Sequence, residues 1–304
     1  MHDELVRKIK ELKKERNAVL LVHNYQRPEI QDLADYLGDS LGLSQQAAAT
    51  QADVIVFCGV HFMAETASIL CPDKTVLIPE REAGCPMADM ITPAQLREIK
   101  QEHPQAKVVT YVNSTAEIKA ESDVCCTSAN ALKVVQAVDA DQVIFVPDQH
   151  LGAFVARQTD KEVILWKGYC PSHVRILPEH VQGQKEEHPQ AKVLVHPECP
   201  PAVIDLADEA LSTEGMCRYV KAGTASEFLI GTEPEMVYRL RKENPDKKIW
   251  PVTQLADCPD MKKNTLEKVL WSLEETRHVV KVPDKIAKKA KGAIGKMLEY
   301  TRSD

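Results

Sequence analysis

Apolar positions along the chain fall into short continuous runs, separated by stretches with helical spacing. VLLV (19–22), VIVF (54–57) and TVLIPE (75–80) come first; VTYV (109–112), VIFV (143–146) and EVILWKG (162–168) follow; then VLV (193–195), EFLIG (227–231) and KKIWPV (247–252). Runs this short and unbroken suit strands, and strands alternating with helical stretches imply parallel sheets with helices on both faces. The opening MHDELVRKIKELKKER puts Leu5, Ile9 and Leu12 on one helical face and lacks the apolar core of a signal peptide. At the other end, TLEKVLWSLEETRHVV (265–280) and KIAKKAKGAIGKMLEY (285–300) read as closing helices, the basic run being a solvated face.

The order of elements repeats. The heptapeptide EHPQAKV stands at 102–108 and again at 187–193, 85 residues apart. In register with it, His23, Tyr111 and His196 align; two residues on come Tyr25, Asn113 and Glu198. Further along, Asp35, Asp123 and Asp208 align, then Ser40, Ser128 and Thr213, all without a gap. The last strand-like run of each copy leads to a Cys-Pro pair: Cys85-Pro86, Cys170-Pro171 and Cys258-Pro259. The chain is therefore an internal triplication of about 85 residues. The expected fold is α/β: three α/β/α lobes with parallel sheets, related by a pseudo-threefold axis. The expected bounds are 1–90, 91–176 and 177–264, with closing helices at 265–304. Ligands of parallel sheets collect beyond the carboxyl ends of the strands, so the strand-end pairs His23/Tyr25, Tyr111/Asn113 and His196/Glu198 and the three Cys-Pro turns should meet at one central site.

Composition narrows the class. A net charge of −7 and a pI near 5.9 argue against nucleic acid or an anionic membrane as partner, and no apolar run reaches spanning length. Nine cysteines without scaffold spacing read as reduced cytoplasmic thiols. Three of them share a period. Three thiolates suit a cubane iron–sulfur cluster with one iron left open, or a three-cysteine zinc holding a water. Cys58, Cys71, Cys125, Cys126, Cys199 and Cys217 have no partners at repeat spacing and read as small buried hydrophobes.

Ser40, Ser128 and Thr213 each precede a helical pattern and read as N-caps, whose helix termini could receive anions. Among the residues after the first strands, His23, His196, Tyr25, Tyr111 and Glu198 are candidates for proton transfer. His61 and His150, out of register, read as structural.

The ordered set HNYQ, GDS, GCPMAD, YVNS, CTSANA, GYCPSH, HPEC, STEGM, FLIGTE and CPDMKKNTL resembles the quinolinate synthase family over nearly the whole chain. The resemblance implies one 4Fe-4S cluster per chain on Cys85, Cys170 and Cys258, one iron staying open as a Lewis acid. It implies that iminoaspartate condenses with dihydroxyacetone phosphate, losing phosphate and two waters to give quinolinate, the pyridine precursor of NAD. It also implies substrate contacts at His23, Ser40, Tyr111, Asn113, Ser128, His173, His196, Glu198 and Thr213, and proton shuttling by Tyr25, Tyr111 and Glu198, with His196 beside them. An enzyme that makes iminoaspartate becomes a candidate partner. Two departures stand out. Cys258 is followed by PDM, so no redox-switch cysteine is expected beside it, and Glu214 stands where the family commonly has a small hydroxyl residue. Readings from other classes are an iron–sulfur sensor or electron carrier, and a zinc hydrolase.

Overall fold

The computed structural model describes residues 2–301. Every apolar run noted above becomes a strand. β1 (Ala18–His23), β2 (Tyr36–Gly38), β3 (Val54–Cys58) and β4 (Thr75–Leu77) form a sheet in the order β2-β1-β3-β4. β5 (Lys107–Tyr111), β6 (Val124–Cys126), β7 (Gln142–Val146) and β8 (Glu162–Leu165) repeat that order as β6-β5-β7-β8. So do β9 (Lys192–Val195), β10 (Glu209–Ala210), β11 (Glu227–Gly231) and β12 (Lys248–Pro251), as β10-β9-β11-β12. All nine pairings are parallel. The fold is thus a triplicated α/β architecture of three four-stranded sheets. The sequence pattern missed the edge strands β2, β6 and β10, which are too short for a period to show.

Side chains alternate across each sheet. In the first, Leu20, Val22, Val56 and Leu77 face an outer layer completed by Ile9, Leu266 and Val269. Their neighbours Leu21, Ile55, Phe57 and Val76 face a core shared by all three sheets. In the second sheet Val108, Ile144 and Val146 face outward while Val109, Val143 and Phe145 join the shared core. The third divides in the same way, Val193 and Leu229 outward, Leu194 and Phe228 inward. Burying each large apolar side chain contributes about 1.5–3 kcal/mol, so the shared core holds the lobes as one body. The N-terminal helix His2–Glu15 packs on Leu266–Glu275, and Asp284–Thr301 packs on Ala116–Ala120 and β6. Among the described residues no helix is long and apolar enough to cross a membrane.

The aligned aspartates explain why the repeat keeps them. Asp35, Asp123 and Asp208 accept hydrogen bonds from the backbone N–H groups of Leu20, Val108 and Val193 at 2.7, 2.8 and 2.8 Å. Their own N–H groups donate back to the carbonyls of the same three residues. Each aspartate thereby clamps the first strand of its lobe from the edge. The heptapeptide is a helix exit: His103 N–H bonds Ile99 O and Ala106 N–H bonds His103 O, and the same pair recurs at His188 and Ala191. Cys71 before β4 and Asn244 before β12 end their helices in the same backbone conformation, each followed by Pro-Asp-Lys. The repeated heptapeptide therefore marks a turn type as well as a repeat position.

Candidate active site

Beyond the carboxyl ends of the strands lies a cavity of ≈ 210 Å³. Its lining includes every residue expected at the site from the sequence: His23, Tyr25, Ser40, Cys85, Tyr111, Asn113, Ser128, Cys170, His173, His196, Glu198, Thr213 and Cys258. His23 and Tyr111 are the last residues of β1 and β5, and His196 follows β9 directly, its N–H donating to Gly231 O. The Cys-Pro turns come from the segments after β4, β8 and β12. Gly168 lets the second of these pass close: a Cβ there would meet Pro147 O at 2.4 Å. Cys-Pro alone does not mark the site, since Cys71-Pro72 and Cys199-Pro200 lie outside the lining. The six cysteines expected to be apolar filling are buried and outside it as well; His61 and His150, half-buried, also lie outside it.

The N-cap reading of the aligned hydroxyls is corrected. Asp39 caps the helix Ser40–Ala49 by accepting from Gly42 N–H, and Ser212 caps Thr213–Ala222 by accepting from Gly215 N–H. In the second lobe Asn130 occupies the cap position of Ala131–Ala137, its Oδ1 accepting from Thr127 N–H. The cap position is the residue before Ser40 and Thr213 and lies two residues after Ser128, which leaves those hydroxyls on the cavity wall. Ser128 Oγ meets His196 Nε2 at 3.1 Å, and Thr213 Oγ1 accepts from Asn24 Nδ2 at 2.8 Å. Glu214 is engaged by Arg239 and by Asn24, so its charge is neutralised beside Thr213.

A continuous hydrogen-bonded chain crosses the site. Tyr25 OH meets Thr232 Oγ1 at 2.6 Å, and Thr232 Oγ1 meets His173 Nε2 at 2.8 Å. His173 Nδ1 lies 2.7 Å from Glu198 Oε2, and Glu198 Oε1 accepts from Tyr111 OH at 2.5 Å. Asn113 Nδ2 donates to the same Oε1 at 3.4 Å. The residues of this chain come from all three lobes. In the first and third lobes the histidine tautomer is fixed locally: Tyr25 N–H donates to His23 Nδ1, and Glu198 N–H donates to His196 Nδ1. Each ring therefore carries its proton on Nε2.

Burial lowers His23 and His196 to about 3, so both are neutral near pH 7. Burial and the Glu198 charge hold Tyr25 and Tyr111 well above the ordinary phenol range, so both remain acids. For Glu198, burial pulls upward, but His173 beside it and the hydrogen bonds from His173 and Tyr111 outweigh it and hold the carboxyl below its usual range. The site thus sets the ionised Glu198 carboxylate against two protonated phenols. Burial pushes Cys85, Cys170 and Cys258 up as well, so the thiolates form only when a dense positive charge is delivered among them.

Among the described residues the donors close enough for a single ion are Cys170, His173 and Glu198, within 4.8 Å of one another. The cysteine trio does not meet that measure. Single-ion zinc sites with bonds of about 2.3 Å need their sulfurs nearer together than twice that length. Three thiols around one cavity, too spread for one ion, fit a multi-iron body better than zinc.

Sequence reasoning missed Thr232, Glu233 and Lys262. Thr232 joins Tyr25 to His173. Glu233 is fully buried on the cavity wall and pairs with Lys262, Nζ to Oε1 at 2.7 Å. Burial raises Glu233 to about 7 against the pull of Lys262. The first two stand in FLIGTE, but their repeat counterparts are Gly59-Val60 and Pro147-Asp148, so alignment of the copies gave no signal.

The family described as Quinolinate synthetase A protein matches residues 7–299. A quinolinate synthase of Dehalococcoides mccartyi is 60% identical over 299 residues, covering 98% of this chain and 99% of that one. One of Methanosarcina barkeri is 57% identical over 295 residues, 97% of each chain. One of Geobacter metallireducens is 55% identical over 300 residues, 99% of each. Such identity over full length, with the matched motifs gathered on one cavity, leads to one conclusion: the chain belongs to the quinolinate synthetase A family.

Proposed function

We propose that this protein condenses iminoaspartate with dihydroxyacetone phosphate, releasing phosphate and two waters and forming quinolinate for NAD biosynthesis. The observation that carries the reading is the convergence of three lobes' Cys-Pro turns and aligned polar residues on one cavity. We assign Cys85, Cys170 and Cys258 to one 4Fe-4S cluster; when bound, it would supply an open iron as a Lewis acid toward a substrate hydroxyl or carboxylate.

The protein's own groups divide the remaining work. Glu198, ionised, is the base: its Oε1 can take a proton from substrate while Tyr111 OH stays at hand to return one. Tyr25, through Thr232 and His173, connects to the same carboxylate, so once the phenol has given its proton to a departing substrate oxygen, a proton held on Glu198 can replace it along His173 and Thr232. Neutral His23 and His196 present Nε2–H donors suited to carboxylate or carbonyl oxygens. Ser40, Ser128, Thr213 and Asn113 add polar contacts for the anionic groups of both substrates. Burial of these groups excludes water from a sequence of dehydrations.

Cytoplasmic location, lobe bounds at 90, 176 and 264, and delivery of iminoaspartate by its producing enzyme belong to the same proposal; the nine free cysteines support a reducing compartment. A second reading, a single metal ion on Cys170, His173 and Glu198, is favoured by their proximity alone. The test is anaerobic protein assayed for quinolinate with both substrates, alongside iron, sulfide and zinc analysis. Quinolinate formation with iron and sulfide supports the reading; a colourless zinc protein that forms none contradicts it.

A further inference from the structure

Tyr25 is held at both ends from the third lobe, by Thr232 and by the lysine that pairs with Glu233. Its hydroxyl meets Thr232 Oγ1 at 2.6 Å. Its carbonyl oxygen accepts from Lys262 Nζ at 2.6 Å, and the same ammonium pairs with Glu233, the residue after Thr232. Glu233 is itself fixed: Oε2 accepts from Glu235 N–H at 2.9 Å, and Oε1 lies 3.5 Å from Cys258 N–H. Lys262 is fixed too, its N–H donating to Cys258 O and its carbonyl accepting from Arg27 of the first lobe at 3.0 and 3.2 Å. The pair is buried, with 12% of the lysine side chain exposed and none of the glutamate.

We propose that Lys262 is a positioning residue for Tyr25: the buried Lys262–Glu233 strut sets the first lobe's tyrosine in register with the Cys258 turn and with Thr232. The proposal rests on the functional reading above. Two features separate this role from general cohesion. The strut is unique to one lobe, since the positions four residues after Cys85 and Cys170 carry Asp89 and Val174. Its lobe is also the one that meets the tyrosine; the repeat counterparts of Tyr25 are Asn113 and Glu198, which make no such contact with a lysine. A second consequence follows from charge. Without Lys262 a buried carboxylate would face a cavity meant for anions, so a bare Glu233 charge must be separated experimentally from the loss of the strut.

The experiment compares wild type, Lys262→Met, Lys262→Arg and the double variant Lys262→Met/Glu233→Gln, each anaerobic and at equal iron and sulfide content. A misplacement of about 1 Å costs on the order of 10²-fold in rate. Lys262→Met should therefore lose roughly 10- to 100-fold in kcat, with KM changed far less, while the cluster's visible spectrum stays that of wild type. Lys262→Arg, which keeps a donor and the ion pair, should recover much of the loss. The double variant removes the uncompensated charge and should fold and hold its cluster, yet stay slow because the Tyr25 carbonyl has lost its donor. Wild-type kcat in the double variant, or in Lys262→Met once iron and sulfide content are matched, would overturn the proposal. An inactive wild type would instead strike the functional reading.

Discussion

Glu198 gathers more of the site's polar contacts than any neighbour of its kind, with Tyr111, Asn113 and His173 all on its two oxygens. Its proposed role as a base predicts that Glu198→Gln, which keeps the shape, retains the cluster and slows quinolinate formation about 10²–10⁴-fold. Tyr111→Phe should do the same, and near-normal turnover in both would leave these residues structural. The two histidines give a pH prediction. Protonating His23 or His196 at Nδ1 would strip an acceptor from a backbone N–H, which agrees with the lowering by burial to about 3. An unfolded histidine titrates near 6.5, so between 6.5 and about 3 the unfolded chain binds more protons than the folded one. Stability is thus lost as pH falls through that window, by up to about 1.4 kcal/mol per unit for each ring. Urea midpoints of cluster-loaded protein at pH 7, 6 and 5 should fall less steeply in the His23→Gln/His196→Gln variant. Parallel curves would remove the imidazoles from the account. Both histidines were legible in the sequence because the repeat aligns them after strands. His173 was legible only through the family's motifs, having no repeat counterpart of its own type, and Thr232 was not legible at all, because its function depends on two partners in other lobes.

At the scale of elements, the repeat preserved two different things, and the structure separates them. Asp35, Asp123 and Asp208 are strand clamps, remote in role from the chemistry. Replacing Asp123 by Ala removes a charge-assisted bond to Val108 N–H; with the side chain one-third exposed, the cost should be about 1 kcal/mol in urea unfolding. Quinolinate kcat should not change, and a large loss of kcat in the cluster-loaded variant would contradict a purely structural clamp. Ser40, Ser128 and Thr213 line the cavity; the helices at Ser40 and Thr213 are capped by the preceding residue, and Ser128 lies two residues ahead of its helix's cap position. Asp39→Ala and Ser212→Ala should therefore lower stability by about 1 kcal/mol each. Ser40→Ala, Ser128→Ala and Thr213→Ala should instead weaken apparent substrate affinity, with a different substrate most affected in each. Equal small stability losses and unchanged affinities in all three would restore the cap reading. The one-residue offset between cap and hydroxyl was invisible in the sequence, because Asp39-Ser40 and Ser212-Thr213 each offer two good caps in a row. The long strands were legible from their apolar runs; the edge strands were not, since a two- or three-residue strand carries no period.

The whole molecule is a device for bringing three copies of one strand-end to one place. A core shared by all three sheets fixes the lobes against one another, and each lobe contributes one thiol to the same cavity. Threefold repetition accounts for the cysteines, and its breakdown accounts for the proposed acid–base groups: Tyr25, Asn113 and Glu198 share a repeat position yet differ in chemistry. Triplication was legible because register survives in spacing. The asymmetric network was not, because Thr232, Glu233 and Lys262 each sit where the other copies carry something unrelated. The account turns on the three cysteines acting together on one cluster with an open iron. The direct measurement is iron, sulfide and Mössbauer analysis of anaerobically reconstituted protein, with and without a substrate-like diacid, in wild type and in Cys170→Ala. The account predicts about four irons and four sulfides per wild-type chain, one iron site shifting when the diacid is added, and no intact cluster in the variant. A full cluster in Cys170→Ala, or a wild-type spectrum unmoved by the diacid, would contradict it.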